Sequence, residues 1–387
     1  MNKKDSIYLD YAATTPVDSD VLAVMEPYWQ KQFYNPSSLY RNARSVKTAL
    51  EEARGVVAKA LGAKPLEVIF TAGATESINL AIAGVLRKNA GNIVVCATEH
   101  EAVLSAAQVY GREVKICPVK PSGIIDLSEL KKLIDSKTVL VSVAYANNEV
   151  GTIQPMREIG KLIEEARNTR KSKLPLYFHS DATQAANYLS LDVSRLGVDL
   201  MTLNGSKIYG PKQTGCLYVR AGVEFEPLIY GGGQEKGRRS GTENVPGFIG
   251  FAHALKIAQD RKEEESRRQA ELRTVLLGAI ETEIANIHIN GTLKHRLPNN
   301  LNITIPNVNG ETLVHHLDAA GVMASTGSAC SANNDKPSHV LLALGLSIEK
   351  VNSSLRLSLG RFTTQEDIKR AGKIIAKTVH EVRSLSS

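Results

Sequence analysis

The sequence predicts an α/β protein with a large domain on a mainly parallel, seven-stranded sheet and a small α+β domain beside it. Three observations carry this expectation. Between residues 67 and 220, seven short β-rich runs are interleaved with helical segments, the pattern of parallel strands joined by crossover helices. Residues 246–285 then form one long helical segment that suits a connector between domains. Finally, polar residues recur just beyond several of the β-runs, where open α/β sheets bind their ligands.

In chain order, the first 15 residues read as an arm with one short strand, running into Ala12-Ala13-Thr14-Thr15-Pro16. Residues 18–32 and 45–61 carry helical periodicity, and Gly62 closes the second segment. The β-rich runs are 67–70, 92–96, 113–117, 138–144, 175–179, 199–203 and 215–219, with helices at 75–89 and 156–168 filling gaps between them. Residues 231–243 form a Gly-rich basic loop. After the long helix the order is β, β, α, β, α, β, α. The large domain is thus expected over 16–250, and the small domain from both chain ends, 1–15 and 251–387.

Of the 387 residues, 43% are hydrophobic and 22% charged, enough to build a large core without disulfides. No run reaches the roughly 18 apolar residues of a membrane helix, and Met1–Ser6 is polar. A cytoplasmic protein without membrane contact is expected. Cys96, Cys117, Cys216 and Cys330 are few for this length and lack CxxC spacing. That argues against a disulfide framework and against a metal site. Cys96, Cys117 and Cys216 lie in β-like runs and read as small buried hydrophobes. The net charge of +7 is spread without a basic run, a solvated mixed surface rather than a nucleic-acid footprint.

The candidate site residues each carry a functional and a structural reading. Gly73-Ala74-Thr75-Glu76-Ser77 opens a helix after a strand, so its free N–H groups and the Thr75 hydroxyl suit an anion; Thr75 equally suits an N-cap. His100, in Thr98-Glu99-His100, is either a structural histidine or a ring that stacks and moves protons. Asp181, with Gln184 three residues on, is a helix cap or a carboxylate for a protonated ring nitrogen. Lys207 sits in Asn204-Gly205-Ser206-Lys207-Ile208-Tyr209-Gly210. Most lysines are surface charges, but here glycines let the chain turn tightly around the side chain. Asn204 and Ser206 offer hydrogen bonds to a phosphate, and a lysine beside a cationic ring can form a Schiff base. Arg356, on an alternating strand-like run, pairs with a surface acid or grips a substrate carboxylate. Cys330 lies within Gly327-Ser328-Ala329-Cys330-Ser331-Ala332-Asn333-Asn334, small and polar with no apolar period. A free thiol there is a liability unless it is used.

Together these residues resemble the cysteine desulfurases of the NifS/IscS type, within the class V aminotransferases. The likeness runs over essentially the whole chain: Tyr8-Leu9-Asp10-Tyr11-Ala12-Ala13-Thr14-Thr15, Gly73–Ser77, Thr98–His100, Asn147-Asn148-Glu149, Asp181–Gln184, Lys207–Pro211, Arg239-Ser240-Gly241-Thr242, Gly327–Cys330 and Arg356. The resemblance implies the fold type I architecture of pyridoxal-phosphate enzymes. It implies that Lys207 holds pyridoxal 5'-phosphate and Asp181 bonds its ring nitrogen. Gln184 and Asn148 take the ring-oxygen side, and His100 stacks on the ring. Ala74, Thr75, Asn204 and Ser206 take the phosphate, with Thr242 reaching the site of the other subunit of a homodimer. Asn148 and Arg356 hold the carboxylate of L-cysteine. Cys330 takes its sulfur as a persulfide for an acceptor protein, an iron–sulfur scaffold or a thiolation enzyme. One departure is Asn204-Gly205-Ser206 where the family commonly has Ser-Gly-His; amide and hydroxyl can serve as phosphate donors in their place.

Overall fold

The computed structural model describes residues 6–327 and 337–385. A short strand β1 (Ile7–Tyr8) precedes the seven strands of the main sheet. These are β2 (Val68–Thr71), β3 (Asn92–Cys96), β4 (Val114–Cys117), β5 (Thr138–Ser142), β6 (Tyr177–Asp181), β7 (Leu200–Asn204) and β8 (Gly215–Val219). Their spatial order is β2-β8-β7-β6-β5-β3-β4. Only β8 runs against its neighbours, β2 and β7; the other pairings are parallel.

The sheet is buried on both faces, which is why its strands read as continuous apolar runs. Phe70, Val94, Phe178 and Met201 enter one apolar cluster with residues of helices Arg41–Leu61 and Met156–Thr169. Ile69, Val95, Leu200 and Leu217 enter a second, with helices Ala74–Lys88 and Glu101–Tyr110. In Met156–Thr169 the buried positions are Met156, Ile159, Gly160 and Ile163, one stripe at helical spacing.

Two sequence expectations change here. The segment 18–32 is broken into Ser19–Met25 and Pro27–Gln30. Pro27 cannot donate to the preceding turn, so it starts a new helix rather than continuing the old one. The next helix starts earlier than expected, at Arg41, and closes at Gly62, whose φ of 65° is left-handed.

The remaining strands are β9 (His288–Ile289), β10 (Asn300–Thr304), β11 (Val322–Met323) and β12 (Ser354–Ser358). β10 pairs antiparallel with both β12 and β9. β1 pairs parallel with β11, so the N-terminal arm joins residues from the far end of the chain. Ile7 and Leu9 share an apolar cluster with Leu301, Leu355 and Ile375. The helix Val245–Glu283 spans both regions: Phe248, Phe251 and Leu255 face the main-sheet core, and Leu272, Leu276 and Ile280 face this one. Among the described residues between β11 and β12 there are two short helices, His339–Ala343 and Ile348–Asn352, where the sequence predicted one. No helix among the described residues is long and apolar enough to cross a membrane.

Candidate active site

The carboxyl ends of β2, β3, β5, β6 and β7 open into one cleft of about 190 Å³. Ala74, Thr75, His100, Asn148, Asp181, Gln184, Asn204 and Lys207 all line it. Ala12 and Ala13 of the N-terminal arm and Arg356 of β12 complete the wall. The convergence follows from topology, since each crossover leaves the sheet at this edge and the turn after each strand must place its polar residues there.

The helix Ala74–Lys88 has Gly73 as its N-cap and no side-chain cap bond. Thr75 is therefore inside the first turn, and the reading of Thr75 as the N-cap is set aside. Gly73 has a φ of 138° and packs against β8; a Cβ on Gly215 would stand 2.9 Å from Gly73 Cα. The bare helix start is thus pressed against the sheet edge, a natural anion seat. Asn204 Oδ1 accepts from Ser206 N (3.2 Å) and Ser206 Oγ (3.3 Å), which fixes the turn leading to Lys207. Ser206 is not itself on the cleft wall.

Lys207 follows β7 in a 3₁₀ turn, Gly205–Lys207. Its Nζ donates to Ala12 O (3.0 Å) and to Ala13 O, and Gln184 Nε2 donates to the same Ala12 carbonyl (3.0 Å). The arm thus holds two cleft side chains at once. Asp181, the last residue of β6, is buried, and its Oδ1 accepts from Thr183 N (2.9 Å). His100 caps the helix Glu101–Tyr110, its Nδ1 accepting from Ala102 N (3.1 Å). A neutral ring in that geometry carries its proton on Nε2 and meets the cleft as a donor. Taking up a proton as a base would require giving up the cap bond.

Arg356 is almost completely buried, 1% exposed. Its Nη2 donates to Asp10 Oδ1 (2.6 Å) and its Nη1 to Asn148 O (3.2 Å), leaving the buried Nε without a partner among the described residues. Thr242 is exposed and lies outside this cleft, on the Gly-rich loop. Cys330 lies outside the described residues.

Beneath the cleft are groups that sequence reasoning did not assign. Glu99 is fully buried; its Oε1 accepts from Ala144 N (2.6 Å) and its Oε2 has no partner among the described residues. Burial first, and the nearby Asp181 charge second, push its carboxyl up to about 8. His179 bridges Ser142 Oγ (2.9 Å) and Thr202 Oγ1 (3.0 Å) across the sheet, and burial lowers it to about 4. Asp10 and Glu149 are partners of cleft residues rather than cleft residues. All but His179 adjoin or fall within a motif noted above, the only signal the sequence held for them.

An amine, a carboxylate, an uncapped helix start and a buried guanidinium around one cleft suit an anionic, ring-bearing cofactor and an amino-acid substrate. The chain is 42% identical over 389 residues to the cysteine desulfurase IscS of Dictyoglomus turgidum, covering 99% of this chain and 97% of that one. Among solved structures it is similar to a NifS-like protein, with a TM-score of 0.90 and 34% identity over 97% of this chain and 100% of the other. It is also similar to SspA in complex with cysteine, with a TM-score of 0.79 and 34% identity over 92% and 99% of the two chains. The model of the aminotransferase class-V family matches residues 7–371, and with the fold and the cleft in agreement the chain belongs to that family.

Proposed function

We propose that this chain is a cysteine desulfurase that converts L-cysteine to L-alanine and retains the sulfur as a persulfide on Cys330. The observation that carries the reading is the meeting of Lys207, Asp181 and Arg356 on one cleft, which gathers the cofactor and carboxylate chemistry at one place. The sulfur atom leaves the substrate carbon and joins the enzyme thiol, and the carbon takes up a proton, so L-cysteine and a thiol yield L-alanine and a persulfide.

The cofactor is pyridoxal 5'-phosphate, on which the family and its desulfurase members depend. The donor set of the cleft suits it: the Lys207 amine, the Asp181 carboxylate, the uncapped helix start at Ala74 and Thr75, and the Asn204 amide. The buried Thr183 Oγ1, on the same wall, has no partner among the described residues and is available to it. When bound, the cofactor supplies an electron sink for bond breaking at the substrate. Lys207 would anchor it, Asp181 would hold its ring nitrogen in the protonated form that serves as the sink, and His100 would pack on the ring. Arg356 and Asn148 orient the substrate carboxylate.

The finer reading is a cytoplasmic homodimer that passes sulfur to an acceptor protein, an iron–sulfur scaffold or a thiolation enzyme. Exposed Trp29, Phe33, Leu39 and Tyr40, with Ile229 and Tyr230 near the Gly-rich loop, support a second copy as partner. Segments 36–37 and 232–236 line one groove, which ties the two stretches together. The test is release of alanine from L-cysteine, with and without reductant, by wild type and Cys330→Ala. We expect catalytic alanine release only in the wild type, with persulfide on Cys330 by mass spectrometry. Full activity of Cys330→Ala, with persulfide on Cys96, Cys117 or Cys216, would end the reading.

A further inference from the structure

The segment that carries Cys330 leaves the described structure at Gly327 and returns at Pro337. One buried carboxylate stands between these two ends. Glu149 is 2% exposed. Its Oε2 accepts from Ser338 Oγ at 2.5 Å, and a Cβ on Gly327 would come within 3.2 Å of that same oxygen. Ser338 is held in turn, because its hydroxyl caps the helix His339–Ala343 by accepting from Leu341 N (3.1 Å). On the other side, Gly327 N donates to Ser325 Oγ (3.3 Å), and Ser325 exchanges backbone bonds with Arg356.

Glu149 is itself fixed to the cleft wall. Its N–H donates to Asn147 Oδ1 (2.8 Å), and its carbonyl accepts from Asn300 Nδ2 (3.0 Å) and Asn302 Nδ2 (3.1 Å). The residue before it is Asn148, whose side chain lines the cleft and whose carbonyl holds Arg356. A short, rigid path therefore runs from the wall of the cleft to both ends of the Cys330 segment.

We infer that Glu149 is a positioning residue for sulfur transfer, bonding the Ser338 end of the Cys330 segment and packing close to its Gly327 end, beside the wall that carries Asn148. The inference rests on the desulfurase reading for its purpose, though its geometry does not depend on it. Three residues of chain span at most roughly 10 Å. Gly327, bonded to Ser325 and packed close to the Glu149 carboxylate, therefore sets the point from which the Cys330 thiol reaches. A charge-assisted bond from Ser338 to a desolvated carboxylate is strong enough to hold the other end, at Ser338. A neutral apolar residue in place of Glu149 would leave Ser338 and Gly327 facing a gap.

The test uses the cofactor-loaded enzyme and the variants Glu149→Ala, Glu149→Gln, Ser338→Ala and the Glu149→Ala/Ser338→Ala double. The first readout is the iodoacetamide alkylation rate of Cys330 by mass spectrometry, with the buried Cys96, Cys117 and Cys216 as internal controls. The second is the single-turnover rate of persulfide formation as a function of L-cysteine concentration. Loss of the tie should raise Cys330 alkylation severalfold and slow persulfide formation roughly tenfold, on the scale of one charge-assisted hydrogen bond. The L-cysteine concentration for half-maximal rate should stay within about twofold. Glu149→Gln keeps an acceptor for Ser338 and should recover most of both readouts, and the double variant should be no worse than Glu149→Ala alone.

Unchanged alkylation and persulfide rates in both Glu149→Ala and Ser338→Ala would overturn the inference. So would fully additive losses in the double variant. If Glu149→Ala exposes the three buried cysteines, it has unfolded, and Ser338→Ala, which removes one hydroxyl, then decides. Altered alkylation in variants of an enzyme whose sulfur is found elsewhere would uphold the tie and sink only the desulfurase reading.

Discussion

Replacing Glu99 by Gln tests whether a neutral acid lies beneath the cleft. Burial, and then the Asp181 charge, raise the Glu99 carboxyl from its ordinary 4.5 to about 8. In the unfolded chain the group ionises near 4.5. Between those two values the native state therefore binds more protons than the unfolded state, and stability falls as pH rises. The loss starts near pH 4.5 and is complete above about 8. At about 1.4 kcal/mol per tenfold change in proton affinity, the ceiling is roughly 5 kcal/mol; relaxation and water entry bring such burial costs down to about 2–3 kcal/mol. Gln places an amide where Oε2 has no partner, a cost of about 1–3 kcal/mol at every pH. The diagnostic quantity is thus the slope with pH and not the stability at one pH. Urea unfolding of the cofactor-free protein, followed by circular dichroism from pH 5 to 8.5, reads it directly. Wild type should lose about 2–3 kcal/mol more than Glu99→Gln across that range. Parallel curves for the two proteins would refute the buried neutral acid.

Lys207→Ala should purify without the cofactor's yellow absorbance near roughly 420 nm and release no alanine from L-cysteine; normal turnover by this variant would remove Lys207 from its role. The protein should be a dimer by light scattering, and Thr242→Ala should lower the affinity for pyridoxal phosphate severalfold while leaving the dimer intact. A fully active monomer would contradict the shared site.

Much of this molecule is legible in its sequence, and what is not has physical causes. The seven β-runs stand out because a sheet covered on both faces needs apolar residues at nearly every strand position, as in Ile93-Val94-Val95 of β3. The cleft residues stand out because each follows such a run. The break at Pro27 was written in the proline, but the apolar period on either side of it carries on in register and hides the interruption. Gly73 rather than Thr75 begins its helix because the turn needs a φ of 138°, a demand a list of capping preferences does not express. The pairing of β1 with β11 joins Ile7 to Val322. Two-residue strands that far apart leave no periodic trace.

The unread residues share a position. Glu99 immediately precedes His100, and Glu149 immediately follows Asn148. Both pairs lie in the loops that follow β3 and β5, where a tight turn sends neighbouring side chains different ways, so one meets the cleft while its neighbour is buried. In a sheet with both faces covered, the buried neighbour meets desolvated surroundings. A carboxylate oxygen there can find a donor, as Glu149 Oε2 finds Ser338, and where one oxygen does not, burial favours the protonated acid, as at Glu99. An acid next to a polar cleft residue at the carboxyl end of a central strand is thus a candidate for one of two roles: a tether for a neighbouring segment, or a neutral acid under the site. The sequence shows the adjacency, but only the fold shows which acid has a partner. The Glu149 and Glu99 variants separate the two roles. Loss of the tether should change the reactivity of Cys330, and removal of the neutral acid should change the pH slope of stability.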